Sequence, residues 1–184
     1  MEVENVHIKA VYAELEWLER VIHQVITSYL KQEGHELNWY DIEMPIVEQS
    51  TLYGFQQKHQ LGIVERVALA LGLAPYVRPE LLDVFFGKNQ IYDRPFSEFG
   101  GVTDAEFSGF IPTVQTVAFI TTSTNVDFYP LFLAAVSTKS ALLKEQVLQL
   151  ENTKEHLPES ANVLQMNKRW VHYFITGEDL PLEQ

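Results

Sequence analysis

The chain has 184 residues, 46% of them apolar, no cysteine, and a formal net charge of −12 from 13 Lys and Arg against 25 Asp and Glu. That apolar content suffices for one domain with its own core, and zero cysteines exclude disulfides, thiolate catalysis and cysteine-ligated zinc. The acidic field repels phosphate backbones and anionic membranes, and the densest positive spot is only Lys168-Arg169, so neither nucleic acid nor membrane is expected as a partner.

The chain starts Met1-Glu2-Val3-Glu4-Asn5, without the basic start and apolar run of a secretory signal. No uninterrupted apolar stretch reaches membrane-spanning length. A soluble cytoplasmic protein is therefore expected.

From Asn5 to Glu33 the spacing predicts one long amphipathic helix, with Val11, Leu15, Leu18, Ile22, Val25 and Tyr29 four and three residues apart. At 1.5 Å per residue it would run about 40 Å. Trp17, Val21 and Ile26 widen the stripe, which suits a bundle helix with more than one neighbour, and Gly34 supplies the stop. The same stripe makes a homo-oligomer an alternative way of covering it.

Asn38 to Gln57, with Pro45, Gly54, Trp39, Tyr40, Tyr53 and Phe55, reads as a packed connection with a short strand around Met44 to Val47. A helix from Leu61 to Leu73 carries Val64, Val67, Ala68 and Leu71, with Gly72 and Pro75 expected to end it. Another helix starts at Pro79, a good first-turn residue, with Glu80 against the positive end of its dipole and Leu81, Leu82, Phe85 and Phe86 as its core face.

Tyr92 to Thr113 fits neither the helical nor the strand period. Gly100, Gly101 and Gly109 permit backbone angles that other residues avoid, and Pro95 and Pro112 fix φ. Phe96, Phe99, Phe107 and Phe110 make it too aromatic for a disordered stretch, so a fixed irregular path over a core is expected. Asp93-Arg94 would hold it, with Arg94 forking to Glu98 or to free carbonyls. Alternatively Tyr92, Phe99 and Phe110 line a recognition groove.

Val114 to Thr122 is rich in Val, Phe, Ile and Thr and is expected as a strand buried on both faces. Asn125 or Asp127 would cap a helix near Pro130 carrying Leu131, Phe132, Ala135 and Val136. Strands at Gln146–Glu151 and Asn162–Met166, joined by the polar stretch 152–161, would make a wing-like hairpin. Lys168 to Ile175 reads as a short helix capped by Asn167 and closed by Gly177.

The expected fold is therefore α+β: a helix-dominated single domain with a long N-terminal amphipathic helix and a small C-terminal sheet. Its helical part runs to about residue 90; the irregular segment and a small α+β part follow from about 91 to 184. Helices followed by a two-stranded wing is also the order of a winged-helix fold.

Tyr92-Asp93-Arg94, then Phe96-x-Glu98-Phe99-Gly100-Gly101 and Gly109-Phe110-Ile111-Pro112-Thr113, resemble the N-terminal, non-catalytic region of bacterial AAA+ ATPases encoded beside phage-tail-like contractile injection systems. The likeness continues upstream in Leu15-Glu16-Trp17-Leu18, in the segment from Glu65 to Leu71 and in that from Val77 to Phe86. Downstream it takes in Val147 to Glu151 and Phe174 to Glu178. The chain departs from the family at Asp104 and Phe107, where another Gly and a His are common, and at Val114-Gln115, where a Gly-Glu pair is common. The resemblance implies a protein partner, either an AAA+ ATPase core or an injection-system component.

No reaction signature accompanies it. Gly87-Lys88-Asn89 lacks the upstream glycine and the hydroxyl of a phosphate-binding loop. The histidines, His7, His23, His35, His59, His156 and His172, are never within four residues of one another, and Asp41-x-Glu43 and Asp104-x-Glu106 read as surface carboxylates rather than metal ligands. Ser108 lies outside any nucleophile elbow. The expectation is a non-enzymatic, cofactor-free recognition or positioning module. A stand-alone peptide- or small-ligand-binding module is the alternative, and a winged-helix nucleic-acid binder, opposed by the charge, is the third.

Overall fold

The computed structural model describes residues 4–151 and 154–180. Helix α1 runs Val6–Tyr29, with the Asn5 side chain accepting from the His7 and Ile8 amides at 2.9 and 3.3 Å. Its stripe of Val11, Leu15, Leu18, Ile22 and Val25 is buried inside the chain, against helices α2 (Thr51–Lys58), α3 (Ile63–Val77) and α7 (Lys168–Thr176). The chain therefore covers this stripe without a second copy. The helix ends before Glu33, because Leu30 caps it and Lys31 already takes φ +53°.

No strand forms around Met44 to Val47. That stretch is irregular, and the Pro45 carbonyl accepts from Arg66 at 3.1 Å. Helix α2 follows, started by Ser50, whose hydroxyl accepts from the Tyr53 amide at 3.1 Å. Helix α3 passes through both of its expected terminators. Pro75 costs one backbone donor near the helix end, and Gly72 serves close packing: a Cβ there would lie 2.8 Å from Leu148 Cδ2 and 3.0 Å from Met166 Cγ. Pro79–Phe86 is a 3-10 helix burying Leu81, Leu82 and Phe85, while Phe86 stays partly exposed and meets Phe110 edge-on.

Val114–Thr122 is helix α4 rather than a strand. A continuous apolar run does not separate a buried strand from a buried helix, and β propensity yields to tertiary packing. The helical start is set locally by the Thr113 amide donating to Thr116 Oγ1 at 3.1 Å. Thr121 and Thr122 donate to the carbonyls four residues back, at 2.8 and 2.6 Å, which satisfies hydroxyls that burial would otherwise orphan. Helix α5 (Tyr129–Ala135) follows a 3-10 turn capped by Asn125 and buries Phe132 and Ala135, leaving Leu131 outside; α6 is Ala141–Lys144.

The strands form three separate two-stranded antiparallel ribbons: β1 (Lys88–Asn89) with β2 (Arg94–Pro95), β3 (Val102–Asp104) with β4 (Phe107–Ile111), and β5 (Leu148–Glu151) with β6 (Val163–Met166). Only the last is the expected C-terminal hairpin, in register Leu148 to Met166 and Glu151 to Val163. Asn152 and Thr153 of its connection lie outside the described residues. Helix α7 starts on Asn167, which accepts from the Arg169 amide, and closes on Gly177 at φ +81°. Helix makes up 55% of the structure and strand 12%, so this is a helix-dominated α+β domain around one apolar core. Among the described residues no helix is long and apolar enough to cross a membrane.

Candidate functional site

The segment from Tyr92 to Thr113 divides into a displayed tip and a buried anchor. The tip closes the β1–β2 ribbon, in register Lys88 to Pro95 and Asn89 to Arg94. Asn89 Oδ1 accepts from the Ile91 amide at 3.0 Å and Asp93 takes φ +49°, a conformation Asp tolerates. This holds Ile91 and Tyr92 in solvent at 85% and 71% exposure. The Arg94 side chain is exposed and makes no hydrogen bond or ion pair among the described residues, so the expected fork onto Glu98 does not form. Glu98 is held elsewhere, accepting from Tyr29 Oη at 3.0 Å, while its carbonyl accepts from Gln115 Nε2 at 3.0 Å.

The anchor begins at the 3-10 turn Ser97–Phe99. Gly100 and Gly101, at φ +67° and +87°, lay the chain on the first turn of α4. There the Gly101 amide donates to Thr113 Oγ1 at 3.1 Å and Thr116 Oγ1 donates to the Phe99 carbonyl at 2.9 Å. A Cβ at Gly101 would run into the Phe110 ring. Phe99 and Phe110 are buried in an aromatic cluster, Phe99 4.7 Å from Phe119 and 4.8 Å from Phe96, and Phe110 5.1 Å from Phe85. Tyr92, Phe99 and Phe110 therefore share no groove.

Gly109 and Phe110 continue along β4 to Pro112, which is buried. The Pro112 carbonyl accepts from the Leu164 amide at 3.1 Å, and Thr113 bridges Val163, tying the segment to β6. Asp104 accepts from the Glu106 amide at 2.8 Å and so builds the β3–β4 turn; Asp41 accepts from Asn38 at 3.1 Å. Among the described residues no group of three or more His, Asp or Glu could hold a metal ion.

Three features escaped the sequence reading. The first is a buried ion pair. Arg66 grips Glu14 through Nε at 2.8 Å and Nη2 at 2.6 Å, Gln56 donates to the same carboxylate at 3.1 Å, and the guanidinium lies 5.6 Å from the Trp17 ring centre. Burial pushes the Glu14 carboxyl above its ordinary range, and Arg66 and Gln56 pull the other way. Its signal was present: Glu14 sits three residues after Val11 and four before Leu18, on the buried stripe.

The second is the outer face of α5. Five of its seven residues point outward, and Tyr129, Leu131 and Leu133 each leave about half of their surface exposed, beside the more exposed Val126. The third is an apolar groove of about 470 Å³ between the end of α3, β4 and β6, lined by Pro75, Tyr76, Phe107, Ile111 and Val163. Both depend on how helices and ribbons meet, which periodicity does not reveal.

Comparison with protein-family models, with curated proteins and with solved structures returned no match.

Proposed function

We propose that this chain is a non-catalytic protein-recognition module of the cytoplasm, comparable to the N-terminal domain of the AAA+ ATPases of contractile injection systems, where it positions the ATPase on its partner. The outward face of α5 carries this reading. A short helix that turns Tyr129, Leu131 and Leu133 to water, with Val126 alongside, gathers apolar surface that a core does not use. The glycine and aromatic segment supports the same role as a scaffold, since its backbone angles and ring contacts are spent on anchoring α4. The net charge of −12 argues against nucleic acid.

The test is direct binding of the purified chain to a recombinant AAA+ ATPase core and to sheath or baseplate components of such systems, by calorimetry. Binding to one of these that is lost in Leu133→Asp supports the proposal. Absence of binding to all of them removes the AAA+ reading. A second reading, a peptide- or small-ligand-binding module, is favoured by the groove beside Tyr76 and Phe107. A ligand seated there would raise the melting temperature by mass action, and Tyr76→Ala would abolish the rise.

A further inference from the structure

Two surface features, separate from the α5 face, are a protruding tip and a groove of opposite charge. The β1–β2 tip is a knob: Ile91 and Tyr92 are adjacent, are 85% and 71% exposed, and are held there by the Asn89 side chain. Beside them Lys88 and Arg94 stand on facing strands and have no carboxylate partner among the described residues, in a chain with nearly twice as many acids as bases.

The socket is a groove of about 340 Å³ between α1 and the 3-10 helix Pro79–Phe86. Ile26 and Val84 present its apolar surface over the buried Ile22 and Leu81, and Glu19, His23 and Glu80 line it as well. Arg78 already bridges those two carboxylates, at 2.8 and 3.1 Å, and a single guanidinium leaves the pair with an excess negative charge. The exposure of Ile91 and Tyr92 means that the knob of a chain does not fill its own groove.

We propose that the chain self-associates by seating the Ile91-Tyr92 knob of one copy in the α1/3-10 groove of a second, with Arg94 and Lys88 meeting Glu80 and Glu19. The knob follows the socket closely in sequence, Ile91 standing seven residues after Val84, so the two lie near one another on the surface. Two copies related by a two-fold axis then exchange knobs reciprocally, which closes the assembly at a dimer. This inference does not rest on the AAA+ reading, since it concerns a different surface and a different partner. Its rim of opposite charges makes the association weaken with salt.

Sedimentation equilibrium of the full chain over a concentration series tests it. The expected result is a monomer–dimer equilibrium whose dissociation constant rises at least tenfold between about 50 mM and 500 mM salt, as screening shortens the reach of the rim charges. Ile91→Asp should give a monomer that melts, at every concentration, where the dilute and dissociated parent melts, and Arg94→Glu a weakened dimer that Glu80→Lys in the same chain restores. A chain that is monomeric at every concentration, assemblies larger than two copies, a dimer that survives Ile91→Asp, or a charge exchange that restores nothing would each overturn it.

Discussion

Tyr29 Oη donates to Glu98 Oε2 at 3.0 Å, joining the last turn of α1 to a 3-10 turn 69 residues further along the chain. The Tyr29 ring also meets Phe119 edge-on, with centroids 5.1 Å apart, so one residue touches the first helix, the irregular segment and α4. Burial, and then the Glu98 carboxylate, raise the Tyr29 phenol above its ordinary value of 10.0. The phenol is favoured over the phenolate in the folded chain, so the stability it contributes is complete below that ordinary value and is lost as pH rises through the folded one. Ultraviolet titration should therefore show a tyrosine component ionising above the ordinary value, and Tyr29→Phe should remove that component. The lost hydrogen bond should cost about 0.5–1 kcal/mol in denaturant unfolding at neutral pH.

Gly101→Ala should be among the most damaging small substitutions. It places a side chain at φ +87° and drives a methyl into the Phe110 ring. Left-handed strain and overpacking together should lower stability by about 2–4 kcal/mol, read as a lower denaturation midpoint at unchanged slope.

Arg66→Met should leave the Glu14 carboxylate buried without its cation, at a cost of about 3–5 kcal/mol at neutral pH. Without Arg66 the larger opposing pull is gone and only Gln56 still works against burial, so the variant should recover stability as pH falls and the carboxyl takes up a proton. The double variant Glu14→Leu/Arg66→Met should be more stable than Arg66→Met alone, which a double-mutant cycle measures. A double variant as unstable as the single would show that packing of the arginine stem, rather than charge, sets the loss.

Leu133→Asp should leave the melting temperature within about 0.5 kcal/mol equivalent of the parent, because the side chain is outside the core. Its effect should appear only in partner binding. A large loss of stability would mean that α5 is held by contacts of Leu133 within the chain, and the surface would lose its claim to a partner.

Periodicity and caps made α1, α3, α7 and the β5–β6 ribbon legible in the sequence, because each carries its own start signal or alternation: Asn5, Asn167, the stripe from Val11 to Val25. The α4 helix was not legible. Val114 to Thr122 is buried nearly all round, so no polar face marks its period, and its threonines favour a strand until their hydroxyls find carbonyls one turn back. Within the candidate segment the anchoring role of Phe99 and Phe110 followed from composition, but the partner of Glu98 did not. Tyr29 lies far away in sequence, and nothing local distinguishes it from Arg94 as a donor.

Gly72 shows how a residue read as a terminator can act as a spacer. The β5–β6 ribbon meets α3 through Leu148 and Met166 at the bare backbone of Gly72, so the helix is notched where the ribbon leans on it. A residue without a side chain thus sets the standoff between α3 and the β5–β6 ribbon. A single methyl at that notch would have to be met by displacement of the Leu148 and Met166 side chains, and Met166, which also lines the Tyr76 groove, would carry the change to that surface.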